Sequence, residues 1–449
     1  MIISNLSLFT RSLTVVAAAL LGLPADQKVQ TGARVQPPSG TACVAAQMRG
    51  SNVGAKINAC DAKLGSNKGE ILLNGGGTIS TPVVVSSNHT LRVSAGIYKA
   101  TNNGAVIRLK DDSSLVCDSW DAVLEESTGN NDQGGVKPFT IVAAYGGTTL
   151  DSPNGNLSRN LVIKGCHFRG ARSDFDSASQ TVTLANCHNC SVTNNWLEAT
   201  RTIGIQTGGG SSLGNYAKNI IIAKNLLTTV ASQNIAVVNS INVQVIDNII
   251  RAPGLAKGPG VVPIDIEPNV GDRIVNVKIA NNLIDMTNTV IDENGAKALH
   301  GIAINNLNQA NPFTAVEVSK NTVYGGNLKD RYNHISGGLI LVRAASNTLI
   351  SNNTLRRGTY GILIDSGSSR ITVTGNQLSS CGSGSSEPIR IIDSSDNLFL
   401  NNKLWGDPEN LYDFSSISRN IVEMGASDNN TFRGNDAVIG LSGRGSRKQ

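Results

Sequence analysis

Residues 222–249, IAKNLLTTVASQNIAVVNSINVQVIDNI, contain one repeat twice, and this repeat decides the fold. At 222–226 and at 245–249, an apolar residue and two further residues are followed by Asn and another apolar residue. The alternating apolar run before each Asn is typical of a half-buried strand. Each copy therefore predicts a short strand that ends at a corner occupied by Asn225 or Asn248.

The same pattern recurs along much of the chain. Nine copies place Asn at the same point: Asn195, Asn225, Asn248, Asn282, Asn321, Asn353, Asn376, Asn402 and Asn435. The eight intervals cover 240 residues, so the mean period is 30, and single intervals range from 23 to 39. Such a period indicates a solenoid with one coil per repeat. The unequal intervals predict inserted loops, which often mark the binding face of a solenoid.

A second strand pattern lies between the corner asparagines. Its copies are 203–205, 235–237, 264–266, 302–304, 339–341, 362–364 and 389–391, with aliphatic first and third positions. These positions are predicted to point inward. Asparagine suits a sharp left-handed corner and can bond to the next coil across the roughly 4.8 Å strand spacing. With the usual handedness of parallel crossovers, the prediction is an all-β, single-stranded right-handed parallel β-helix solenoid with two strands per coil.

The two ends of the chain differ from the repeats. Helical spacing of apolar residues over Val53–Leu64 predicts a short N-terminal capping helix that covers the open end of the core. The predicted division is a signal peptide at 1–25, the cap and first strands at 26–100, the parallel β-helix at 101–440 and a flexible basic tail at 441–449.

Composition limits the class of protein. Of 449 residues, 16% are charged and 4% are aromatic, and 47 are glycine. A coiled coil or helical bundle would be richer in Glu, Lys and Leu, and charge-driven disorder would carry more charge. The net charge of +5 comes without a basic stripe interleaved with aromatic residues, so nucleic acid is not an expected partner.

The N-terminus predicts export. Arg11 precedes a short apolar run at 13–23, followed by a small-residue cleavage site, as in a secretory signal peptide. The run is shorter than the roughly 20 residues of a membrane span, and no other segment is long and apolar enough for one. The protein is therefore expected to be secreted, in the extracellular space or the periplasm. A buried N-terminal strand or helix is the alternative.

The seven cysteines are an odd number. Cys43 and Cys60 are expected to pair in an oxidising compartment. Cys187 and Cys190 form a lone CxxC, a weak metal or redox signal that also fits stacked small residues at a turn, with or without a local disulfide. The others are expected to be buried hydrophobic residues: Cys117, Cys166 and Cys381.

The capping helix, the glycine-rich turns and the Asn-cornered coils resemble the pectate-lyase-like superfamily of secreted right-handed parallel β-helix proteins. The resemblance covers about residues 50–440 and implies a polysaccharide lyase, a glycoside hydrolase, a uronan epimerase or a phage tailspike depolymerase. The polygalacturonase motifs Asn-Thr-Asp, Gly-His-Gly and Arg-Ile-Lys are absent, and the calcium and arginine motifs of pectate lyases have no clear match. No catalytic residue is therefore carried over from those families.

Two carboxylates stand out in the second strand pattern. Asp265 and Glu267, in VPIDIEPN at 262–269, are two residues apart and so share the outer face. Two columns of outward residues are predicted across the coils. The first is Gly204, Ala236, Asp265, Ala303, Ile340, Leu363 and Arg390. The second is Gln206, Val238, Glu267, Asn305, Val342, Asp365 and Ile392. Two acids above a floor of small residues predict a cleft.

This pair suggests acid–base chemistry. Like charges so close raise one pKa and give an acid beside a base, as glycoside hydrolysis requires. A lyase would need a base and a cation that neutralises a uronate carboxylate. The candidate catalytic residues are Asp265, Glu267, Arg201 and His300, and the candidate substrate-binding residues are Gln206, Asn305 and Asp365.

Calcium is the one candidate cofactor. Asp265 and Glu267, or Asp174 and Asp176, offer the oxygen ligands that Ca²⁺ prefers. The alternative is that Asp265 and Glu267 are solvated surface acids without chemistry.

The sequence therefore predicts a secreted carbohydrate-active β-helix protein with a polysaccharide as its partner, most simply a lyase or a hydrolase. Its groove would lie on the outer face of one parallel sheet. Trp120 and Trp196 either stack on a sugar or pack against the fold. The alternatives are a non-catalytic extracellular β-helix, such as an adhesin, and a trimeric phage-type depolymerase. The sequence leaves the oligomeric state open.

Overall fold

The computed structural model describes residues 41–101, 105–126, 140–143, 157–170, 180–200, 203–209, 216–230, 232–251, 261–287, 289, 300–325, 337–382, 387–405 and 420–449. The described chain is mostly β-strand, and it contains one α-helix and one short 3₁₀ turn at Ala45–Gln47. Within it, no helix has the length and hydropathy needed to cross a membrane. The predicted signal peptide at 1–25 lies outside the described residues.

The strands form three parallel sheets. Sheet A contains Thr41–Val44, Gly69–Leu73, His89–Val93, Ser114–Cys117, Ser158–Arg159, Val162–Lys164, Cys187–Thr193, Ala217–Ala223, Ser240–Ile246, Ile274–Ala280, Phe313–Ser319, Ser346–Ser351, Ser369–Thr374, Leu398–Leu400, Thr431–Arg433 and Arg447–Lys448. Sheet B contains Gly77–Ile79, Gly96–Ala100, Ala122–Glu126, His167–Arg169, Trp196–Glu198, Leu226–Thr228, Ile249–Arg251, Leu283–Asp285, Thr322–Tyr324, Thr354–Arg356, Gln377–Ser379 and Lys403–Trp405. Sheet C contains Val83–Val85, Ala105–Leu109, Thr140–Ala143, Gln180–Leu184, Ile203–Thr207, Gln233–Val237, Val262–Ile266, Ile302–Asn305, Gly338–Arg343, Tyr360–Asp365, Ile389–Ile392, Asn420–Met424 and Val438–Gly440.

Each coil contributes three strands, whereas the sequence predicts two. In one coil, Ala217–Ala223 lies in sheet A, Leu226–Thr228 in sheet B and Gln233–Val237 in sheet C. Asn225 occupies the corner between the first two, so the missed strand follows the Asn directly. Every strand of this coil pairs in parallel with the equivalent strand one coil away. The predicted fold class, a single-stranded right-handed parallel β-helix, is confirmed.

The corner asparagines are bonded to one another along the solenoid. From Asn195 to Asn435, each Nδ2 donates to the Oδ1 of the next corner Asn, at 2.9–3.1 Å. The same Oδ1 accepts the backbone N–H of the preceding Asn, as between Asn225 and Asn195. The side chains from Asn195 to Asn402 are buried. Each corner thus satisfies its own polar groups inside the fold.

A second row of asparagines runs along sheet A six residues before the corners. The side chain of Asn189 bonds to that of Asn160, Asn219 to Asn189, Asn242 to Asn219 and Asn276 to Asn242, at 2.8–3.1 Å. These residues have left-handed backbones, with φ between 54° and 58°. Asn accepts this conformation better than most residues. The row bends each sheet A strand in the same place.

The core of sheet C is a column of isoleucine. The residues in register are Ile205, Ile235, Ile264, Ile302, Ile340, Ile362, Ile389 and Ile421, all fully buried. The predicted inward positions are correct in most coils. They are wrong for Ile203, which is half-exposed, and for Leu341, which faces outward. Aliphatic residues occupy both faces of these strands, so alternation alone misassigns them.

The predicted capping helix is present over Val53–Leu64. Its N-terminus is capped by Asn52, whose side chain accepts from the backbone N–H of Ala55. Its buried face includes Ile57 and Leu64. Asp61 accepts from the Ser86 hydroxyl at 2.6 Å and lies 2.6 Å from the buried His89 ring. The helix is therefore fixed to the first coils by polar contacts as well as by apolar packing.

Three disulfides are formed in the described chain. Cys43 pairs with Cys60, which joins sheet A to the capping helix, and Cys187 pairs with Cys190. The third bond joins Cys117 and Cys166 in successive coils, so the prediction that both are plain hydrophobic residues is wrong. A 49-residue separation hides this contact in the sequence. Cys381 is a buried free thiol, as expected.

The C-terminal residues belong to the solenoid, although the sequence predicts a flexible tail at 441–449. Arg447–Lys448 pairs in parallel with Thr431–Arg433. The buried carboxylate of Glu423 accepts from the backbone N–H groups of Ser442 and Gly443 and from the Ser446 hydroxyl. A buried carboxylate that accepts several donors is a strong local anchor. The basic residues of this segment are typical of a flexible tail, so the sequence does not predict this strand.

Replacing Glu423 by Ala is expected to release the C-terminal segment. The change removes the acceptor for four donors, including Asn430 Nδ2 at 2.8 Å. Amide hydrogen exchange over 442–449 should rise by about tenfold or more, because opening no longer breaks charge-assisted bonds. Glu317→Ala, on an exposed ion pair in sheet A, is the control. Unchanged protection of 442–449 in the Glu423 variant would contradict the anchoring role.

Candidate functional site

The outer face of sheet C carries Asp265. Its neighbours in the strand, Ile264 and Ile266, point into the core, so Asp265 projects outward. In register it pairs with Ala236 in the preceding coil and with Ala303 in the following coil. The acid therefore stands between two alanines, so neither neighbouring strand places a larger side chain directly beside it.

The column through Asp265 differs from the predicted one at two positions. Gln206, rather than Gly204, lies in this column two coils before Asp265. Leu341, rather than Ile340, lies two coils after it. The residue in register is two positions after the predicted one in the first strand and one position after it in the second. Gln206 therefore lies in the same row as Asp265.

Asp265 is buried, although the sequence places it on the open surface. It is 5% exposed, and Ala236 and Ala303 beside it are 2% and 3% exposed. This part of the outer face is thus covered, and the alternative of a solvated surface acid is wrong for Asp265. Glu267, at the end of the same strand, is exposed. The pair is therefore accessible from the Glu267 side.

Gln233 joins the two carboxylates. Its Nε2 donates to Asp265 Oδ2 at 2.6 Å and to Glu267 Oε2 at 3.1 Å. The two oxygens are therefore no more than about 5.7 Å apart, the sum of these distances. Gln233 begins the sheet C strand of the preceding coil, in register with Val262. Its only signal in the sequence is a polar residue at the start of a strand.

The buried position changes the ionisation of Asp265. Burial, followed by the negative charge of Glu267, raises the pKa of Asp265 from 3.8 to about 8. Its Oδ1 is buried and receives no hydrogen bond from an N–H or hydroxyl donor of the described residues. An unpartnered oxygen favours the protonated carboxyl, because an ionised oxygen would need donors. Asp265 is therefore neutral, and a proton donor, at pH 7.

His300 lies on the same face, before strand Ile302–Asn305 of the next coil. Its Nδ1 is 3.1 Å from the carbonyl oxygen of Gly338, so Nδ1 carries the proton and donates it. Burial lowers the pKa of His300, which keeps the ring neutral at pH 7. As a neutral ring, His300 does not supply the cation that a lyase would need.

Asp365 belongs to an ion pair and not to an open binding site. Arg343 donates to both oxygens of Asp365, at 2.9 and 3.0 Å. Such a bidentate pair satisfies the carboxylate and the guanidinium together. Arg343 takes the column position that the sequence prediction assigns to Val342, because Asn305, Arg343 and Asp365 are in register.

A second arginine pair lies further along the face. Arg390 donates from Nε to Glu387 at 2.6 Å and from Nη1 to the Tyr360 hydroxyl at 2.7 Å. Its guanidinium also lies 4.6 Å from the centre of the Tyr360 ring. Arg343 and Arg390, which both point onto this face, are therefore neutralised by carboxylates.

The remaining predicted binding residues make weak local contacts. Gln206 Nε2 donates to the carbonyl of Gly208 at 3.3 Å. Asn305 Oδ1 accepts from the backbone N–H of Leu307 at 3.4 Å. Both are half-buried. Long local bonds of this kind are readily exchanged for hydroxyl groups of a ligand.

Three predicted residues lie outside the described part of the chain: Arg201, Asp174 and Asp176. In the described part, no group of three or more His, Cys, Asp or Glu side chains is placed to hold a metal ion. Ca²⁺ takes six to eight oxygen ligands, and Asp265 and Glu267 offer two carboxyl groups, one of them protonated. These two residues do not by themselves fit a calcium centre.

Comparisons with solved structures identify the architecture. An exopolygalacturonase from Thermotoga maritima is 13% identical, with 82% of this chain and 92% of that chain covered and a TM-score of 0.52. A tailspike protein double mutant of E. coli bacteriophage HK620, in complex with a pentasaccharide, is 14% identical, with 87% and 63% covered and a TM-score of 0.53. The chain has the pectate-lyase-like parallel β-helix fold.

At these identities the pectate-lyase-like similarity shows the fold alone. The A-module of Azotobacter vinelandii mannuronan C-5 epimerase AlgE6 is 11% identical, with 89% of this chain and 96% of that chain covered and a TM-score of 0.47. The chain spans 63% of the length of the tailspike protein. No protein-family model matches the sequence. No curated protein matches it either.

Proposed function

We propose that this protein is a secreted glycoside hydrolase that cleaves a polysaccharide on the outer face of sheet C. Asp265 is the general acid and Glu267 is the ionised partner. The observation that carries the proposal is the pair itself: a buried, protonated carboxyl and an exposed carboxylate that share one donor, Gln233. Glycoside hydrolysis requires a protonated carboxyl group that acts as an acid and a second carboxyl group beside it.

The two oxygens that accept from Gln233 lie closer together than the inverting spacing, which supports a retaining mechanism. Retaining enzymes place them about 5–5.5 Å apart and inverting enzymes about 6.5–9.5 Å apart. The two oxygens here are at most about 5.7 Å apart. Asp265 would protonate the leaving oxygen while Glu267 attacks the anomeric carbon. Water would then hydrolyse the glycosyl–enzyme ester, with Asp265 acting as the base.

The charges that the described residues place on the face, Arg201 not being among them, suit hydrolysis better than β-elimination. Elimination from a uronate needs a free cation beside the sugar carboxylate. Arg343 is paired with Asp365, Arg390 is paired with Glu387, and His300 is neutral. The described residues thus offer acids to the substrate and no uncompensated cation beside them.

Two further observations support a secreted polysaccharide enzyme. The structurally similar proteins include an exopolygalacturonase and a tailspike protein in complex with a pentasaccharide. The three disulfides suit an oxidising compartment outside the cytoplasm. Export through residues 1–25 stays a prediction, and cleavage of that segment is checked by N-terminal sequencing of the protein recovered from the medium or periplasm.

The test is a panel of purified polysaccharides incubated with the protein, with and without EDTA. Reducing ends and absorbance near 235 nm are read together. New reducing ends without absorbance, in EDTA as well, are expected. New ends with absorbance would show elimination, and loss of activity in EDTA would show a metal; either contradicts the proposal. Glycan binding without new ends would favour a non-catalytic carbohydrate-binding protein.

The pH dependence of thermal stability should depend on the protonation of Asp265. Folding raises the pKa of Asp265 from 3.8 to about 8. Its contribution to the free energy of unfolding is therefore complete below about pH 4 and is lost as the pH rises towards 8. Asp265→Asn removes the titration. The melting temperature of the wild type should therefore fall relative to that of Asp265→Asn between pH 5 and 9. Parallel pH profiles of the two melting temperatures would contradict the raised pKa.

A further inference from the structure

Two tryptophans lie together on the outer face of sheet B, away from the carboxylate pair. Trp120 follows a sheet A strand at the corner and is 42% exposed, and Trp196 begins strand Trp196–Glu198. Their ring centres are 5.8 Å apart and their planes are tilted by 53°. His167 stacks on Trp196 at 3.9 Å, with planes 7° apart. We call these three side chains the tryptophan platform.

The polar atoms of the platform are used inside the protein. Trp120 Nε1 donates to the carbonyl of Asn194 at 2.9 Å, and Trp196 Nε1 donates to the Thr228 hydroxyl at 3.0 Å. His167 Nε2 is 2.8 Å from a Glu198 oxygen. The rings are therefore held in fixed orientations before any ligand arrives. A large exposed aromatic surface that is already rigid loses little conformational entropy on binding.

The platform continues as an apolar row. Leu226, Ile249 and Leu283 follow Trp196 in register, one per coil, and all are half-buried. A parallel row of polar and charged side chains accompanies them two residues later in each strand: Glu198, Thr228, Arg251 and Asp285. An apolar strip with a polar border along the solenoid axis matches a chain that has flat C–H faces and hydroxyl edges.

The charges around the platform cancel. Glu125 accepts from Arg169 and lies 3.3 Å from Lys99, and Glu198 is the second acid of the group. Burial lowers the pKa of His167, so its ring adds no charge at pH 7. Two acids thus face two bases. The rest of the described row adds one base and one acid, so the described rim gives no net electrostatic preference for an anionic or a cationic ligand.

We propose that the tryptophan platform binds a chain of uncharged pyranose sugars, laid along sheet B parallel to the solenoid axis. The C–H faces of pyranose rings stack on the exposed indole, and their hydroxyl groups bond to the polar row. The site is separate from the carboxylate pair on sheet C and does not depend on its catalytic role. It would hold a polymer on the protein whether or not the polymer is cleaved.

Tryptophan fluorescence isolates the platform, because the chain has only three tryptophans. The third, Trp405, lies on sheet B seven strands further along, about 34 Å from Trp196 at the normal strand spacing. In the Trp405→Phe variant, all indole emission comes from the platform. Titration with hydroxyethylcellulose and a galactomannan is expected to change this emission, and titration with polygalacturonate is not.

Affinity electrophoresis in gels containing the same neutral polymers gives the second readout. Trp120→Ala is expected to weaken retardation by about tenfold, and Trp405→Phe should bind as the wild type does. Equal retardation of Trp120→Ala and wild type, or an emission change with polygalacturonate alone, would overturn the proposal. Sedimentation tests the rival occupant: a dimer that Trp120→Ala converts to monomer, without polymer binding, would show an interface between two copies.

Discussion

Asp265→Asn and Glu267→Gln are each expected to lower turnover of the polysaccharide about a hundredfold to ten-thousandfold, the usual contribution of a positioned acid or base. In Asp265→Asn, the amide retains the shape of the protonated carboxyl and an oxygen that can accept from Gln233, but it has no acidic proton to give. In Glu267→Gln, the new side chain likewise fills the space without a negative charge. Both variants should fold, because neither change leaves a buried charge unpaired.

The control for these variants is Glu317→Gln. Glu317 is also an outward carboxylate on a β-strand, but it lies on sheet A and is paired with Lys278 at 3.0 Å. Its substitution should leave turnover unchanged. Melting temperatures and far-UV circular dichroism establish that all three variants are folded. If Asp265→Asn or Glu267→Gln retains turnover within about threefold of wild type, that residue is not the acid or its partner.

The stereochemistry of the product separates the two roles. With carboxylate oxygens at most about 5.7 Å apart, we expect retention at the anomeric carbon. Proton NMR of the first-formed product, recorded before mutarotation, shows the configuration directly. Inversion would mean that Glu267 activates a water and does not attack the sugar. It would also require the two carboxyl groups to move apart when substrate binds.

The sequence predicts the fold well because its main determinants are local and repeated. The corner Asn is recognisable in nine coils, and the capping helix has the predicted bounds, Val53–Leu64. The sheet B strand is not predictable from alternation, because it has only three residues in most coils. The second asparagine row was also missed, although its signal was present: Asn lies six residues before the corner, as at Asn242 and Asn248.

The candidate site was only partly predictable. Asp265 and Glu267 stand out because acids are rare in an apolar strand. Burial of Asp265 and its bond to Gln233 depend on residues from other coils, which no local pattern reveals. The two wrong residues in the predicted Asp265 column have a different cause. Aliphatic residues cover both faces of several sheet C strands, as Leu341 on the outside shows, so inward and outward positions look alike in the sequence.

The corner asparagines provide the second large effect: Asn248→Ala is expected to lower the free energy of unfolding by about 3 kcal/mol or more. Asn248 is fully buried. Its Nδ2 donates to Asn282 and to the carbonyl of Ile222, and its Oδ1 accepts from the backbone and side chain of Asn225. Alanine removes all four bonds and leaves the Asn225 N–H and the Ile222 carbonyl buried without these partners.

The matched control is Asn242→Gly in the second row of the same coil. Asn242 has φ of 58°, which glycine adopts freely, and its side chain is only half-buried. Because water can replace its lost bonds, the cost should be within about 1 kcal/mol. Urea unfolding followed by circular dichroism compares the two variants. Equal destabilisation would mean that stability depends only on the number of side-chain amide bonds. The expected difference would mean that the corner row stabilises the fold because its amide groups are buried.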